Sequence, residues 1–341
     1  MDLDVVFVGT SGSMPTAQRA PSALLVRRGG ERLLFDCGEG TQRQLLRSDV
    51  GLVDLTEIYV THFHADHVLG LPGMLKTFAL RGRELPLTLY GPRGLSELMA
   101  SLHRVIGKLT YPYDVVEVAP DHVLPRDGYD IRTVAVRHGA VALGYALVEH
   151  DRPGRFDVEA ADRLGVPPPA RGLLQRGEAV TLPDGRAVTP DAVLGPPRPG
   201  RKLVLTGDTA PVQSVVEAAA GADLLVHEAT FCRDELERAR ETEHSTAADA
   251  AEIGREASVK LLALTHLSSR YSGGDVEREA VEVVVALDDL VRDAREGARE
   301  RLTVEQGLRG RSACGRPDGR RGGSDVRAHS APFRPLWTGL K

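Results

Sequence analysis

The segment VTHFHADH, residues 60–67, places three histidines and one aspartate within six consecutive positions of a chain that has only 11 histidines. Burying titratable groups without partners costs roughly several kcal/mol for each group, so a folded core must compensate them. Imidazole nitrogens and carboxylate oxygens are side-chain ligands of zinc and similar metals. The segment therefore favours a metal site over an ordinary loop.

The four side chains fall into two pairs that point in different directions. His62 and His64 follow the predicted strand LTEIYVTH, and side chains two residues apart on an extended backbone point the same way. Asp66 and His67 come at the predicted start of a helix, so they approach from another side. Because one metal takes about three or four protein ligands, this split favours two metals.

Three further candidate ligands each follow a predicted strand: His138 after TVAVR, Asp208 after LVLTG and His266 after LLALT. Ligands in α/β proteins gather at the carboxyl ends of strands, so we expect these residues to converge on the cluster. A carboxylate can offer one oxygen to each of two metals, which suits Asp208 as a bridge. Taken alone, a histidine after a strand is more often an ordinary surface or hinge residue than a ligand.

Strand and helix patterns alternate through most of the chain, which indicates an α/β architecture. Residues 150–200 interrupt the alternation, because they contain nine of the 21 prolines and show little periodicity. We expect a long loop or a protruding arm there rather than a layer of the core. We assign residues 1–306 to one domain, ending in a predicted helix, and residues 307–341 to an Arg- and Gly-rich tail that is expected to be disordered.

Composition narrows the class of protein. The formal net charge is −5, which argues against nonspecific coating of nucleic acid but permits a local basic patch. Cys37, Cys232 and Cys314 are widely spaced and odd in number, as in a reducing compartment. No apolar run approaches the roughly 20 residues that span a bilayer, and the first residues lack a signal-peptide pattern. We therefore expect a soluble cytoplasmic protein with no membrane partner.

The motif THFHADH resembles the signature of the metallo-β-lactamase fold, a four-layer αββα sandwich with a two-metal site along one edge. Further stretches are similar to ribonuclease Z, the endonuclease that trims the 3′ ends of precursor tRNAs: GTSGSMPTAQR, FDCGEGTQRQL, VHEATF, EHSTA and THLSSRY. The Pro/Gly-rich arm is similar to the flexible exosite that grips the tRNA elbow in that family. The fold alone does not set the function, because it also hosts lactamases, thioesterases and oxidoreductases.

The resemblance implies a zinc-dependent endoribonuclease that leaves a 3′-hydroxyl on the tRNA and a 5′-phosphate on the trailer. It implies two zinc ions per subunit and a homodimer. The implied ligands are His62, His64 and His138 for one zinc, Asp66, His67 and His266 for the other, and Asp208 between them. Asp66 would also accept the proton of the attacking water, and His244, oriented by Glu228, would protonate the leaving 3′ oxygen.

Six more residues are candidates for RNA contact: Thr41 and Arg43 in GEGTQRQ, and Arg152, Arg155, Arg171 and Arg176 in the arm. Phosphate contacts by the arm would let a net acidic protein bind tRNA, but these arginines could also be ordinary solvated charges. His244 could simply precede a helix that Ser245 or Thr246 caps. Glu228 could belong to a structural pair.

Two other functions stay open. One is a small-molecule phosphodiesterase or arylsulfatase-type hydrolase on the same fold, which the long arm and the EHST motif argue against. The other is a noncatalytic RNA-binding module, which the complete ligand set argues against. The chain also departs from the family pattern in two places. The arm's tip, PPPARGLLQRGE, lacks the aromatic and lysine expected there, and an acidic–apolar segment with the tail follows SSRYSGG.

Overall fold

The computed structural model describes residues 3–48, 50–52 and 55–271, and the predicted last helix and tail lie outside them. The strands are β1 (Leu3–Gly9), β2 (Ser11–Gly12), β3 (Ala23–Arg28), β4 (Glu31–Phe35), β5 (Glu57–Tyr59), β6 (Leu87–Gly91), β7 (Tyr113–Glu117), β8 (Val123–Arg126), β9 (Tyr129–Ala135), β10 (Leu143–Glu149), β11 (Val180–Thr181), β12 (Ala187–Val188), β13 (Lys202–Leu205), β14 (Leu224–Glu228), β15 (Leu262–Thr265) and β16 (Leu267–Ser268). The helices are α1 (Thr41–Arg47), α2 (Ala65–Val68), α3 (Leu71–Leu80), α4 (Leu95–Ile106), α5 (Val158–Arg163), α6 (Pro168–Gln175), α7 (Gln213–Ala219), α8 (Leu236–Glu241) and α9 (Ala247–Glu256), with 3₁₀ turns at Pro190–Ala192 and Arg233–Glu235. Within these described residues, no helix is long and apolar enough to cross a membrane.

Two six-stranded sheets form the body of the protein. Their strand orders are β1-β3-β4-β5-β6-β7 and β15-β14-β13-β10-β9-β8. Each sheet joins an antiparallel half to a parallel half, since β4 to β7 run parallel in the first sheet and β13 to β15 run parallel in the second. β3 and β4 form an antiparallel hairpin, and Gly29 at its turn has a positive φ of 54°, a conformation that suits glycine.

Side chains alternate across each strand, and this alternation produces three apolar layers. In β14, Leu224 and Val226 point into the core between the sheets, whereas Leu225 points outward beneath α7 and α9. The outer face of the first sheet packs against α1, α3 and α4. The order of layers is helix, sheet, sheet, helix, which confirms the predicted αββα sandwich.

The parallel halves of the two sheets end at one edge of the sandwich. Asp36 follows β4, Asp208 lies just beyond β13, Glu228 ends β14 and His266 follows β15. Loops after parallel strands emerge on the same side, so residues far apart in sequence meet there. This edge carries the candidate site.

Residues 150–200 leave β10 and return to β13, which are antiparallel neighbours in the second sheet. Of the two expected alternatives, a long loop or a protruding arm, the long loop is wrong, because the segment contains α5, α6, the β11–β12 hairpin and a 3₁₀ turn. Its own apolar core comprises Ala160, Ala161, Val166, Leu174, Val180, Leu182, Val188 and Val193. Prolines stand at the start of α6 and of the 3₁₀ turn, where a missing N–H is tolerated. We call this segment the arm.

Candidate metal centre

Asp208 occupies the middle of the site and is buried. Its Oδ2 lies 3.2 Å from His266 Nε2, 3.4 Å from His67 Nε2, 3.7 Å from His62 Nε2 and 4.0 Å from His138 Nε2. Gly207 makes the preceding turn with φ 60°, and a Cβ there would lie 2.8 Å from Thr61 Cβ. Only glycine therefore lets this loop bring the carboxylate so close to the histidines.

The ligand-type atoms fall into groups that meet the distances needed for a metal ion. One group is His62, His64, His138 and Asp208, and another is Asp66, His67 and His266; within each, the ligand atoms lie within 4.8 Å of one another. The structure thus brings together all the ligands implied by the resemblance, in the same two groups. A third group of Asp208, His244 and His266 meets the same limit, so His244 borders the centre.

Each of four imidazoles contacts a neighbour through Nδ1 as well as facing the centre. The partners are Asp36 for His67 at 2.7 Å, Thr230 for His266 at 2.8 Å, Thr61 for His62 at 3.0 Å and the carbonyl of Glu243 for His138 at 3.2 Å. Metal-binding histidines commonly donate the second ring N–H to such a partner, which fixes the ring's orientation. Asp36 and Thr230 contact the rings of two candidate ligands and were not predicted from the sequence, although both lie in the motifs FDCGEGTQRQL and VHEATF at strand ends.

Three buried polar atoms at the centre lack hydrogen-bond partners among the described residues: His62 Nε2, His67 Nε2 and Asp208 Oδ1. A buried polar atom without a partner is destabilising by about 1–3 kcal/mol. A cation held between these atoms would give each of them a partner. The donor set of imidazole nitrogens and carboxylate oxygens therefore fits metal ions such as zinc.

The protonation states of two candidate ligands, His62 and Asp66, also suit a metal. Burial, reinforced by the neighbouring His67, lowers the pKa of His62 to about 2, so its imidazole is neutral at pH 7. Burial disfavours the charged form of Asp66, but the hydrogen bond from His266 and the charges of His67 and His266 outweigh it and lower the pKa of Asp66 below its usual range. Neutral imidazole and ionised carboxylate are the forms that bind metal.

The N-terminal loop supports Asp66 and His266. Ser13 donates its backbone N–H to Asp66 Oδ2 at 2.7 Å, and the same oxygen lies 3.0 Å from His266 Nε2. A Cβ on Gly12 would lie 2.7 Å from His266 Nδ1, so glycine is needed beneath this ring. Ser13 and His266 both have positive φ, 60° and 56°. In residues other than glycine this conformation is destabilising by about 1–3 kcal/mol, and it clusters at functional sites.

Glu228 and His244 form an ion pair next to the centre. Glu228 is fully buried, and its Oε1 lies 2.7 Å from His244 Nδ1 while Oε2 accepts the Thr230 hydroxyl at 2.6 Å. Burial opposes protonation of His244, but the Glu228 charge and hydrogen bond prevail, with help from Asp208, and raise the pKa of His244 to about 9. His244 is therefore protonated at neutral pH and can act as a proton donor.

The loop that carries His244 ends at a helix cap. Thr246, not Ser245, is the N-cap of α9, and its hydroxyl accepts the Asp249 N–H in a capping box. Ser245 donates its hydroxyl to the Thr209 carbonyl instead. The capping prediction is thus confirmed for Thr246, and it coexists with the His244–Glu228 pair rather than excluding it.

Of the two candidate RNA contacts near the candidate metal centre, Thr41 is buried and Arg43 is exposed. Thr41 is fully buried and donates its hydroxyl to the Gly38 carbonyl at 2.7 Å, so the prediction that its side chain contacts RNA is wrong. The hydroxyl is used to close the loop before α1. Arg43 is exposed and, with Leu46 and Leu69, lines a surface cavity of about 320 Å³.

The arm, which carries four candidate arginines, begins far from the candidate metal centre. Leu143 at the start of β10 donates its N–H to Thr61 beside the site, whereas the arm leaves the far end of this strand at Glu149. At about 3.4 Å per residue, that end is roughly 20 Å away. Arg155 and Arg176 are exposed, and Arg152 and Arg171 are half-buried. Arg176 pairs with Glu178 at 3.2 Å and Arg171 pairs with Asp162.

Comparison with known proteins identifies the family. The chain is 51% identical to ribonuclease Z of Myxococcus xanthus over 271 residues, which is 79% of this chain and 88% of that protein. The chain belongs to the ribonuclease Z family. Ribonuclease Z of Haloferax volcanii is 50% identical over 275 residues, covering 80% of this chain and 86% of that protein. The family predicted from the sequence is thereby confirmed.

Solved structures and a family model give further comparisons. Human tRNase Z, short form, superimposes with a TM-score of 0.60 at 28% identity, over 79% of this chain and 93% of that chain. The metallo-β-lactamase fold protein YhfI of Bacillus subtilis also gives a TM-score of 0.60, at 20% identity over 84% and 94% of the two chains, which confirms the fold. A family model described as anti-Pycsar protein Apyc1 matches residues 3–148, up to β10 and before the arm.

Proposed function

We propose that this ribonuclease Z family member is a zinc-dependent endoribonuclease that removes the 3′ trailer of precursor tRNA. It would leave a 3′-hydroxyl on the tRNA and a 5′-phosphate on the trailer. The observation that carries the proposal is the Asp208 carboxylate within 3.2–4.0 Å of four imidazole nitrogens, next to the His244–Glu228 pair. Relatives named ribonuclease Z, at 51% and 50% identity, support the substrate class.

Two zinc ions per subunit are supported by the two ligand groups around one carboxylate. The first ion would be held by His62, His64 and His138, the second by Asp66, His67 and His266, and Asp208 would contact both. When bound, two such ions supply an activated water at neutral pH and stabilise the charge that develops during phosphodiester displacement.

The remaining steps fall to side chains of this chain. Asp66 is ionised and would accept the proton of the attacking water, while the Ser13 N–H holds its carboxylate in place. His244 is protonated at neutral pH and would give its proton to the leaving 3′ oxygen of the tRNA. The Glu228 carboxylate orients that ring and stabilises its charge. Acid and base thus lie on separate elements around one centre.

We also propose a cytoplasmic homodimer in which the arm of one subunit binds the tRNA that the partner cleaves. The arm begins roughly 20 Å from its own metal edge, which supports contact in trans. Exposed Arg155 and Arg176 are the arm's candidate phosphate contacts, and Arg43 is the candidate on the body. Mixing an Asp66→Ala subunit with a subunit lacking residues 158–192 should restore cleavage if the arm acts in trans.

The deciding experiment is cleavage of a 3′-extended precursor tRNA by the purified full chain, with and without a chelator, beside Asp66→Ala. We expect a single chelator-sensitive cut after the discriminator base that is lost in the variant. Intact tRNA together with hydrolysis of bis-p-nitrophenyl phosphate would leave the metal site standing and favour a small-molecule phosphodiesterase. A metal content below one ion per chain would contradict the two-zinc site.

A further inference from the structure

The two stems of the arm stay paired with each other well beyond the sheet. We call residues 149–157 and 193–201 the neck. Within the sheet, Tyr145 of β10 faces Leu205 of β13. In the neck the same one-for-one match continues: Glu149 N–H donates to the Arg201 carbonyl at 2.9 Å, Arg152 and Arg198 exchange hydrogen bonds of 2.8 and 2.9 Å, and Asp157 N–H donates to the Val193 carbonyl at 2.7 Å. The neck therefore extends β10 and β13 rather than tethering the arm loosely.

Glycines let the two stems touch through their backbones. A Cβ on Gly154 would lie 1.8 Å from the Gly195 carbonyl oxygen, and one on Gly200 would lie 2.0 Å from the Glu149 carbonyl oxygen. Such approaches exclude every other residue type. A Cβ on Gly195 itself would meet its nearest atom, the Arg155 carbonyl oxygen, at an ordinary 3.6 Å. Gly154 and Gly195 thus lie on adjacent stems, in contact through the Gly195 carbonyl, but differ in their tolerance for a methyl group.

A buried ionic cluster lies where the neck joins the two sheets, at a place that we call the root of the neck. Glu149, Arg201 and Arg28 are each at least nine-tenths buried. Arg201 binds the Glu149 carboxylate with two nitrogens, both at 2.7 Å, and Arg28 Nε binds the same carboxylate at 3.1 Å. The Arg28 guanidinium also stacks 4.4 Å above the Tyr129 ring. Bidentate pairs of this kind fix geometry as well as charge.

Glu149 therefore connects four parts of the molecule. It ends β10 and starts one stem, Arg201 ends the other stem just before β13, and Arg28 ends β3 in the opposite sheet. A single carboxylate joins both stems to both sheets. Removing it leaves two buried guanidinium groups without their shared partner, which loosens the root.

We propose that Glu149 is a positioning residue that holds the arm at one fixed angle to the sandwich and thereby sets the affinity for precursor tRNA. This inference rests on the proposed function. Glu149 lies roughly 20 Å along β10 from the metal edge, so it acts without touching the reacting atoms. An arm that is already oriented loses less conformational entropy when tRNA binds, so the binding free energy is more favourable. If loosening leaves the arm correctly placed for a tenth of the time, the apparent dissociation constant rises about tenfold.

The test compares Glu149→Gln with Glu159→Gln, which removes the same charge from an exposed position on the arm. For Glu149→Gln we expect KM for precursor tRNA to rise about tenfold, kcat to hold, and hydrolysis of bis-p-nitrophenyl phosphate to stay within about twofold of wild type. Glu159→Gln should match wild type. Hydrogen exchange at the Arg152 and Asp157 amides should quicken in Glu149→Gln without tRNA present.

A second pair of variants carries no change of charge. Gly154→Ala should force the stems apart and give the same tRNA-specific rise in KM, whereas Gly195→Ala should not. This pair decides the question alone if Glu149→Gln does not fold.

Four results would overturn the inference. An unchanged KM despite faster exchange in the neck would show that arm angle does not matter. Equal losses on both substrates would make Glu149 a residue of general stability. Failure of the wild-type chain to cleave precursor tRNA would overturn the proposed function and this inference together, whereas normal wild-type cleavage with an unaffected Glu149→Gln overturns this inference alone.

Discussion

The metal centre and the arm are assembled in opposite ways. The metal centre gathers side chains from Asp36 to His266, brought to one edge by strands of both sheets. The arm is one continuous stretch, and among the described residues its hydrogen bonds from Arg152 to Arg198 stay within the stretch. The centre therefore depends on the whole sandwich, whereas the arm depends on its own small core and on its root.

Because of this contrast, we expect chemistry and substrate binding to depend on different regions of the molecule. A segment with few contacts to the rest can open locally while the remainder stays folded. A site built from distant strand ends has no such freedom, because its geometry is that of the core. Substitutions at the centre should therefore change metal binding and chemistry, and those in the arm should change substrate binding alone.

The largest effect is expected for Asp208→Asn, which keeps the shape and removes the charge shared by four histidines. Metal catalysis is worth several kcal/mol, so cleavage of tRNA and of bis-p-nitrophenyl phosphate should both fall roughly a thousandfold or more. Metal content should fall with them. Asp184→Asn, an exposed carboxylate of the arm paired with Arg186, is the matched control and should change neither. Retention of both metals in Asp208→Asn would contradict its bridging place.

His244→Ala should affect tRNA far more than a substrate with a good leaving group. Loss of a general acid costs about 100-fold or more, but p-nitrophenolate departs without a proton. The pKa of His244 is raised to about 9, so the proton-donating form prevails below that pH and is lost as pH rises through it. Glu228→Gln removes the charge that raises this pKa, so the decline in tRNA cleavage should begin at lower pH. Equal losses on both substrates would exclude the acid role.

The candidate metal ligands could be picked out from the sequence because their chemistry is rare and their spacing is tight. His62, His64 and His67 lie too close together in sequence to be incidental, and His266 follows a clear strand. Asp36 and Thr230 could not be identified this way, since aspartate and threonine are common after strands. Their roles depend on where the rings of His67 and His266 point, and only the packing of two sheets decides that.

The arm's structure was hidden for a different physical reason. α5 and α6 have six and eight residues, too few turns for an apolar period to show. Its core rests on small side chains such as Ala160 and Ala161, which no pattern of large apolar residues marks. Prolines at the first turn of α6 and elsewhere indicated loops, although proline is well tolerated at that position. Thr41 failed as an RNA contact because a neighbouring carbonyl takes its hydroxyl.

A smaller effect at the centre is expected from Thr230→Val. The Thr230 oxygen accepts from His266 Nδ1 at 2.8 Å and its hydroxyl donates to Glu228 Oε2 at 2.6 Å, so it links a candidate ligand to the acid pair. Valine keeps the shape but leaves His266 Nδ1 without this partner, whereas Glu228 Oε2 loses the hydroxyl and keeps the backbone N–H of residue 230 at 3.1 Å. Metal affinity measured against a competing chelator should therefore fall about 10–100-fold. Thr230→Ser keeps the hydroxyl and should restore most of it. If serine is as poor as valine, the methyl group and not the hydrogen bond matters.

The smallest effect on chemistry is expected from Leu174→Ala in α6, although this residue is fully buried. Large-to-small substitutions in cores cost about 2–5 kcal/mol, and here the loss falls on the arm's separate core. The arm should open and become sensitive to limited proteolysis within residues 158–192, while metal content and hydrolysis of bis-p-nitrophenyl phosphate stay at wild-type levels. Val158→Ala, at an exposed apolar position of the same arm, should do neither. A parallel loss of metal or of small-substrate hydrolysis in Leu174→Ala would mean that the arm and the sandwich fold as one unit, and the separation of binding from chemistry would then fail.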